Sequence, residues 1–130
     1  MDPLLAFCKL QIETCSMPAS LPRRSVCPVA CTLDLIGDRW TLLVLRDMWA
    51  GKQRYSEFLA SPEGIATNIL SARLAWLVQQ GLVRREPPRG RASTYELTKK
   101  GESLVPVLTA LRDWGLEHIP GTQARVRKQA

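Results

Sequence analysis

The chain has 130 residues, of which 45% are hydrophobic and 23% charged, and its formal net charge is +6. These are the proportions of a globular chain, and the length suits one domain with a real core and is too short for two. The positive charge favours an anionic partner, and no run approaches the roughly 20 consecutive apolar residues that a membrane-spanning helix needs.

Residues 1–26 read as an N-terminal extension and linker. Leu4 to Ile12 can form a short helix, whereas Pro18, Pro22 and the Arg23-Arg24 pair read as connecting chain. Met17 could itself serve as a start. Lys9 and Glu13 interrupt the opening too early for a secretory signal, so the expected location is cytoplasmic. The four cysteines are then expected to be reduced thiols.

Cys27-Pro28 opens the main domain, expected over 27–120. Pro28 suits the first turn of a helix, where its missing N–H has no partner to lose, and this helix is expected to stop at Gly37. Asp38 is a candidate N-cap for a second helix, Arg39 to Trp49, which is apolar nearly all round and therefore central. Tyr55, Phe58 and Leu59 fit one face of a short third helix, and Ser61-Pro62-Glu63-Gly64 reads as a turn. A long helix follows from Ala66 or Thr67. Leu70, Leu74, Leu77 and Val78 make its apolar stripe, and Gly81 ends it where a left-handed residue is wanted. Its other side carries Asn68, Ala72, Ala75 and Gln79, all small or uncharged, where a merely solvated helix usually carries Lys and Glu.

Val83 to Glu86 and Thr94 to Leu97 alternate as two short strands, joined by a tip of Pro87-Pro88-Arg89-Gly90-Arg91-Ala92. Residues 84–100 hold six bases against two acids, a local charge of +4 beside the long helix. Thr98 caps a further helix whose apolar set is Leu104, Val107, Leu108, Leu111 and Trp114, with Pro106 expected to delay or kink its start. Residues 121–130 form a basic tail with Arg125, Arg127 and Lys128, expected to be a solvated end. Short helix, turn, long helix and basic hairpin together describe a winged helix-turn-helix: mainly α, with a small β-hairpin wing.

Several stretches in register carry a resemblance. Cys27-Pro28-Val29, Leu33-Asp-Leu-Ile-Gly-Asp-Arg-Trp-Thr-Leu-Leu-Val-Leu-Arg-Asp47, Gly64-Ile-Ala-Thr-Asn-Ile-Leu-Ser-Ala-Arg-Leu74, Gly81-Leu-Val83, Tyr95-Glu-Leu-Thr-Lys-Lys-Gly101 and Leu111-Arg-Asp-Trp-Gly115 resemble the HxlR-type family of bacterial transcriptional regulators. The likeness runs from about residue 27 to 116. It implies a MarR-like winged-helix homodimer on operator DNA, with most of the dimer contact made by the terminal helices. Ala66 departs from the Ser that many members carry there, and Thr67 is the candidate replacement cap.

The major groove admits an α-helix and displays a distinct donor and acceptor pattern at each base pair. Asn68 can pair with adenine, Thr67 and Ser71 can contact bases or phosphates, Ala72 can lie on a thymine methyl, and Arg73 can reach a phosphate or a guanine at the groove edge. Wing residues Arg89 and Arg91 would meet phosphates or a narrow minor groove. Arg84 and Arg85 are adjacent in a strand, so only one of them can face DNA. Trp76 falls away from the Leu stripe and is expected to pack under the wing or a neighbouring helix. The stripe of Leu104, Leu108, Leu111 and Trp114 reads as either core or dimer contact, with dimer contact favoured because one stripe outgrows so small a core.

Cys27 stands just before a helix start, where the dipole favours a thiolate. The resemblance implies sensing, since some relatives use a cysteine near this position to answer oxidants or electrophiles. A quiet, partly packed thiol is the alternative, so a small-molecule or redox effector stays open. The nearest cysteine, Cys31, is one helical turn away, which makes a disulfide within the helix improbable. Metal binding has little support, since His118 is the only histidine, and no cofactor is expected. Without a phosphate loop or a carboxylate pair, catalysis is not expected. The rival reading is a winged-helix adaptor for protein or RNA.

Overall fold

The computed structural model describes residues 24–90 and 92–124. The expected helix at Leu4–Ile12, Arg91 at the wing tip and the basic residues of the tail lie outside them. The chain divides into two compact units, one ending at Arg39 and the other beginning at Trp40. Among the described residues, no helix is long and apolar enough to cross a membrane.

In the first unit, described over residues 24–39, helix α1 spans Pro28–Ile36 with Pro28 in its first turn. Cys27 is its N-cap, and the Cys27 N–H donates to Ser25 Oγ at 3.0 Å. Cys31 and Ile36 are buried, whereas Val29 and Leu33 are exposed. Arg24 pairs with Asp34 at 2.6 Å.

The second unit runs α2 (Thr41–Trp49), α3 (Tyr55–Leu59), α4 (Thr67–Gln79), β1 (Val83–Glu86), β2 (Thr94–Leu97), α5 (Lys99–Glu102) and α6 (Val105–His118). Helix α2 begins two residues later than expected, since Trp40 rather than Asp38 occupies the capping position and Arg39 lies in the preceding turn. It is central nonetheless: it touches α4, α6 and β2. Val44, Leu45 and Met48 of α2 are buried together with Phe58, Leu70, Leu74, Leu77, Leu82 and Val83. Helix α4 opens at Ala66, which supplies extended backbone and no side-chain cap, so Thr67 is the first helical residue and not the cap. At the other end Gly81 has φ +73, which closes the helix without the steric penalty a Cβ would bring.

The strands pair antiparallel, with Val83 opposite Leu97, Arg84 opposite Glu96, Arg85 opposite Tyr95 and Glu86 opposite Thr94. One feature was not legible from alternation: Arg54 bridges Thr94, and the Tyr95 N–H donates to the Gln53 carbonyl at 2.8 Å. The segment before α3 therefore acts as a vestigial third strand that ties the wing to the helices. Thr98 Oγ1 accepts the Gly101 N–H at 3.1 Å, the expected cap. The helix it starts breaks after Glu102 and restarts at Val105 with Pro106 in the first turn, where the missing N–H costs nothing.

Candidate nucleic-acid interface

Two charged contacts fix the turn in front of α4. Arg46 of α2 donates to Glu63 Oε1 at 2.5 Å and to Asp47 Oδ1 at 2.9 Å. Ser61 donates to the buried carboxylate of Asp47, and Lys52 Nζ donates to Ser61 Oγ at 2.9 Å. The hydrogen bond from Arg46 holds the Glu63 carboxyl below the usual carboxylate range against the opposing effect of partial burial. Burial works against the charge of Arg46, but Glu63 and Asp47 together raise its pKa. Helix α4 is thus set on a turn held by the Arg46–Glu63 salt bridge and the Ser61–Asp47 hydrogen bond as well as by its Leu stripe.

On α4, Leu70, Leu74 and Leu77 are buried as expected, but Val78 is 38% exposed. It lines the groove beside the wing instead. Thr67, Asn68, Ser71 and Ala72 are all exposed, while Arg73 and Trp76 are half-buried. Four of the residues singled out for base contact therefore share one open, uncharged surface. Ser71 is also engaged within the protein. The Tyr55 hydroxyl donates to the Thr67 carbonyl oxygen at 2.9 Å and lies 3.0 Å from Ser71 Oγ.

A groove of about 1090 Å³ separates α4 from the wing. Tyr55, Ser71, Ala75 and Gln79 line the helix side, and Arg85 and Pro88 are among the residues of the wing side. Arg84 is exposed and pairs with Glu96 at 2.8 Å. Arg85 shares its strand face with buried Val83, lies over the Tyr95 ring and donates to the Gly90 carbonyl at 3.0 Å. Ser93 Oγ meets that same carbonyl at 3.0 Å and the Pro87 carbonyl at 2.7 Å, which folds the tip on itself. Arg89 projects from this tip and is exposed.

The other residues of interest lie elsewhere. None of the side chains of α6 is buried. Leu111 and Trp114 are 54% and 60% exposed, and Leu104 and Leu108 are half-buried. Among the described residues, the stripe is thus part covered, at Leu104 and Leu108, and part open, at Leu111 and Trp114. Cys27 is half-buried and belongs to the unit ending at Arg39. Among the described residues, no cluster of three or more His, Cys, Asp or Glu side chains could hold a metal ion.

Sequence reasoning placed Tyr55 on the apolar face of α3 with Phe58 and Leu59 and missed its hydroxyl. No sequence signal links a phenol to a serine sixteen residues on. The structural role of Arg85 was legible in part, because alternation puts it on the face of apolar Val83 and puts Tyr95 on the face of Leu97, but the register that sets the two opposite each other is a tertiary outcome.

The HxlR-like helix-turn-helix family model matches residues 35–123. An HTH-type transcriptional regulator of Mycobacterium tuberculosis is 39% identical over 94 residues, which is 71% of this chain. The chain spans only 59% of that relative's length. Among solved structures, the redox regulator HypR in its reduced form is 32% identical with a TM-score of 0.64, covering 72% of this chain and 94% of HypR. Quinone-bound YodB from Bacillus subtilis is 28% identical with a TM-score of 0.60, covering 70% of this chain and 99% of YodB.

Proposed function

The chain belongs to the HxlR-like helix-turn-helix family, and from that membership we propose that it is a transcriptional regulator that binds a palindromic DNA operator as a homodimer. The observation that carries this reading is the exposed, uncharged face of Thr67, Asn68, Ser71 and Ala72 beside a wing whose tip presents Arg89. Helix α4 enters the major groove, where Asn68 makes a two-bond contact with adenine and Ala72 lies against a thymine methyl. Thr67 and Ser71 contact base edges beside them, and Arg73 on the helix flank reaches the groove edge. Arg89 and Arg91 meet phosphates, which supplies most of the non-specific affinity and its salt dependence.

The apolar side of α6, with Leu104, Leu108, Leu111 and Trp114, is covered by a second copy. Such a pair sets two reading helices about 34 Å apart on one side of the duplex. Selection from a random duplex pool, with sequencing of the bound fraction, tests the reading. A palindrome with half-sites one helical turn apart is expected. Salt-sensitive binding without any selected sequence would instead point to an adaptor.

A second reading concerns control. HypR is named a redox regulator and YodB was solved with a quinone bound. In this chain Cys27 is a partly accessible thiol at a helix start. That placement supports Cys27 as the residue through which oxidants or electrophiles release the DNA.

A further inference from the structure

The contacts of Tyr55 with Thr67 and Ser71 determine where the protons of two hydroxyls lie. A carbonyl oxygen has no proton to give, so the 2.9 Å contact between Tyr55 and the Thr67 carbonyl requires the phenol proton. A phenol has only one. The 3.0 Å contact between Tyr55 and Ser71 must then use the proton of Ser71. Ser71 Oγ is left with lone pairs alone, on an exposed position of α4 that lines the groove beside the wing.

We propose that Tyr55 makes Ser71 an acceptor-only reader of the major groove, so that each half-site has one position where A or C is chosen over G or T. This inference rests on the reading of α4 as the DNA-reading helix. Phosphate oxygens, guanine O6 and N7, and thymine O4 are all acceptors and offer such a serine nothing. Adenine N6 and cytosine N4 are donors. Every base pair carries one amino and one keto edge in this groove, so the discrimination is between strands: amino base near the helix, keto base across from it. Ser71 determines specificity, and Tyr55 is a positioning residue that acts through it.

The experiment is duplex selection with the full chain and with Tyr55→Phe, Ser71→Ala and the double variant, each first checked for a native melting transition. The original protein is expected to prefer A or C at one half-site position by about fivefold, the worth of one hydrogen bond. Tyr55→Phe keeps the ring but frees the serine proton, so the preference there falls towards parity while the other positions keep theirs. Ser71→Ala removes the same preference, and the double variant matches Ser71→Ala. If Tyr55→Phe weakens all sequences alike and leaves the A-or-C bias in place, the inference is overturned while the DNA-binding reading stands. The same holds if a palindrome is selected but no position responds to Ser71→Ala. If the original protein selects no sequence at all, both readings fall together.

Discussion

Arg85 and Tyr95 face each other across the two strands of the wing, and the guanidinium carbon of Arg85 stands 5.6 Å from the centre of the Tyr95 ring. Tyr95 is buried and meets Phe58 edge-on, with ring centres 6.2 Å apart. The wing is therefore joined to the helical core through Tyr95 on Phe58, and Arg85 covers Tyr95 from within the wing. That arginine is committed to the fold, which leaves the charge at the tip to do the reaching.

Arg85 and Arg89 should accordingly behave differently. Arg89→Ala is expected to weaken binding to all duplexes alike and to lower the slope of log affinity against log salt by about 0.9, the signature of one lost phosphate contact. Arg85→Ala is expected to cost about 1 kcal/mol of stability through the lost cation–π contact, seen in urea unfolding. Titrations at several salt concentrations distinguish them. An unchanged slope for Arg89→Ala would remove that residue from the interface.

Glu63 gives the acid response a sign. Its folded-state pKa is lowered by the hydrogen bond from Arg46, so the unfolded chain binds its proton first as pH falls. The pair's contribution is fully present above the unfolded carboxylate pKa and disappears as pH drops through the lowered folded value. Glu63→Gln is expected to cost about 1 kcal/mol at neutral pH, as befits a partly exposed pair. The deficit should vanish in acid, and a gap that persists at the lowest pH would show that the pair is not its source.

Gly101 admits no side chain. A Cβ there would stand 2.0 Å from the Leu82 carbonyl oxygen, which also accepts the Thr98 N–H at 3.0 Å. Gly101→Ala must push α5 away from the start of the wing, at a cost of about 3 kcal/mol. Thermal melting of this variant measures it, and a melting temperature within a degree of the original would mean that the backbone yields easily.

The exposed face of α6 predicts an assembly phenotype. Leu111→Glu combined with Trp114→Glu alters two side chains that are more than half exposed. The double variant should sediment as a folded monomer and bind operator DNA at least about a hundredfold more weakly, because one half-site holds on alone. Removing the chain after Glu102 should do the same. A truncated or doubly substituted protein that still binds tightly would place the dimer contact elsewhere.

Cys27 can be tested without knowing its effector. Near neutral pH a thiol reagent is expected to label the original chain several-fold faster than Cys27→Ser, because Cys27 is only half-buried whereas Cys31 is buried. Equal rates in the two proteins would end the sensor reading.

Local patterns along the chain were enough to set most of the elements and the buried face of the long helix. The 3.6-residue spacing of Leu70, Leu74 and Leu77, the alternation of Val83–Glu86 and Thr94–Leu97, and the Thr98 cap depend on neighbours a few residues away, so their positions were legible before any packing was known. Tertiary structure alone decided which residues meet across long separations. It moved the start of α2 past Asp38, turned Val78 out of the core and recruited Gln53 and Arg54 to the wing. It also laid Arg85 rather than Arg84 on Tyr95 and brought the Tyr55 hydroxyl to Ser71. Such contacts are chosen by the shape of the assembled core, where a side chain takes whichever partner the packed backbones bring within reach, and no spacing along the chain records that choice.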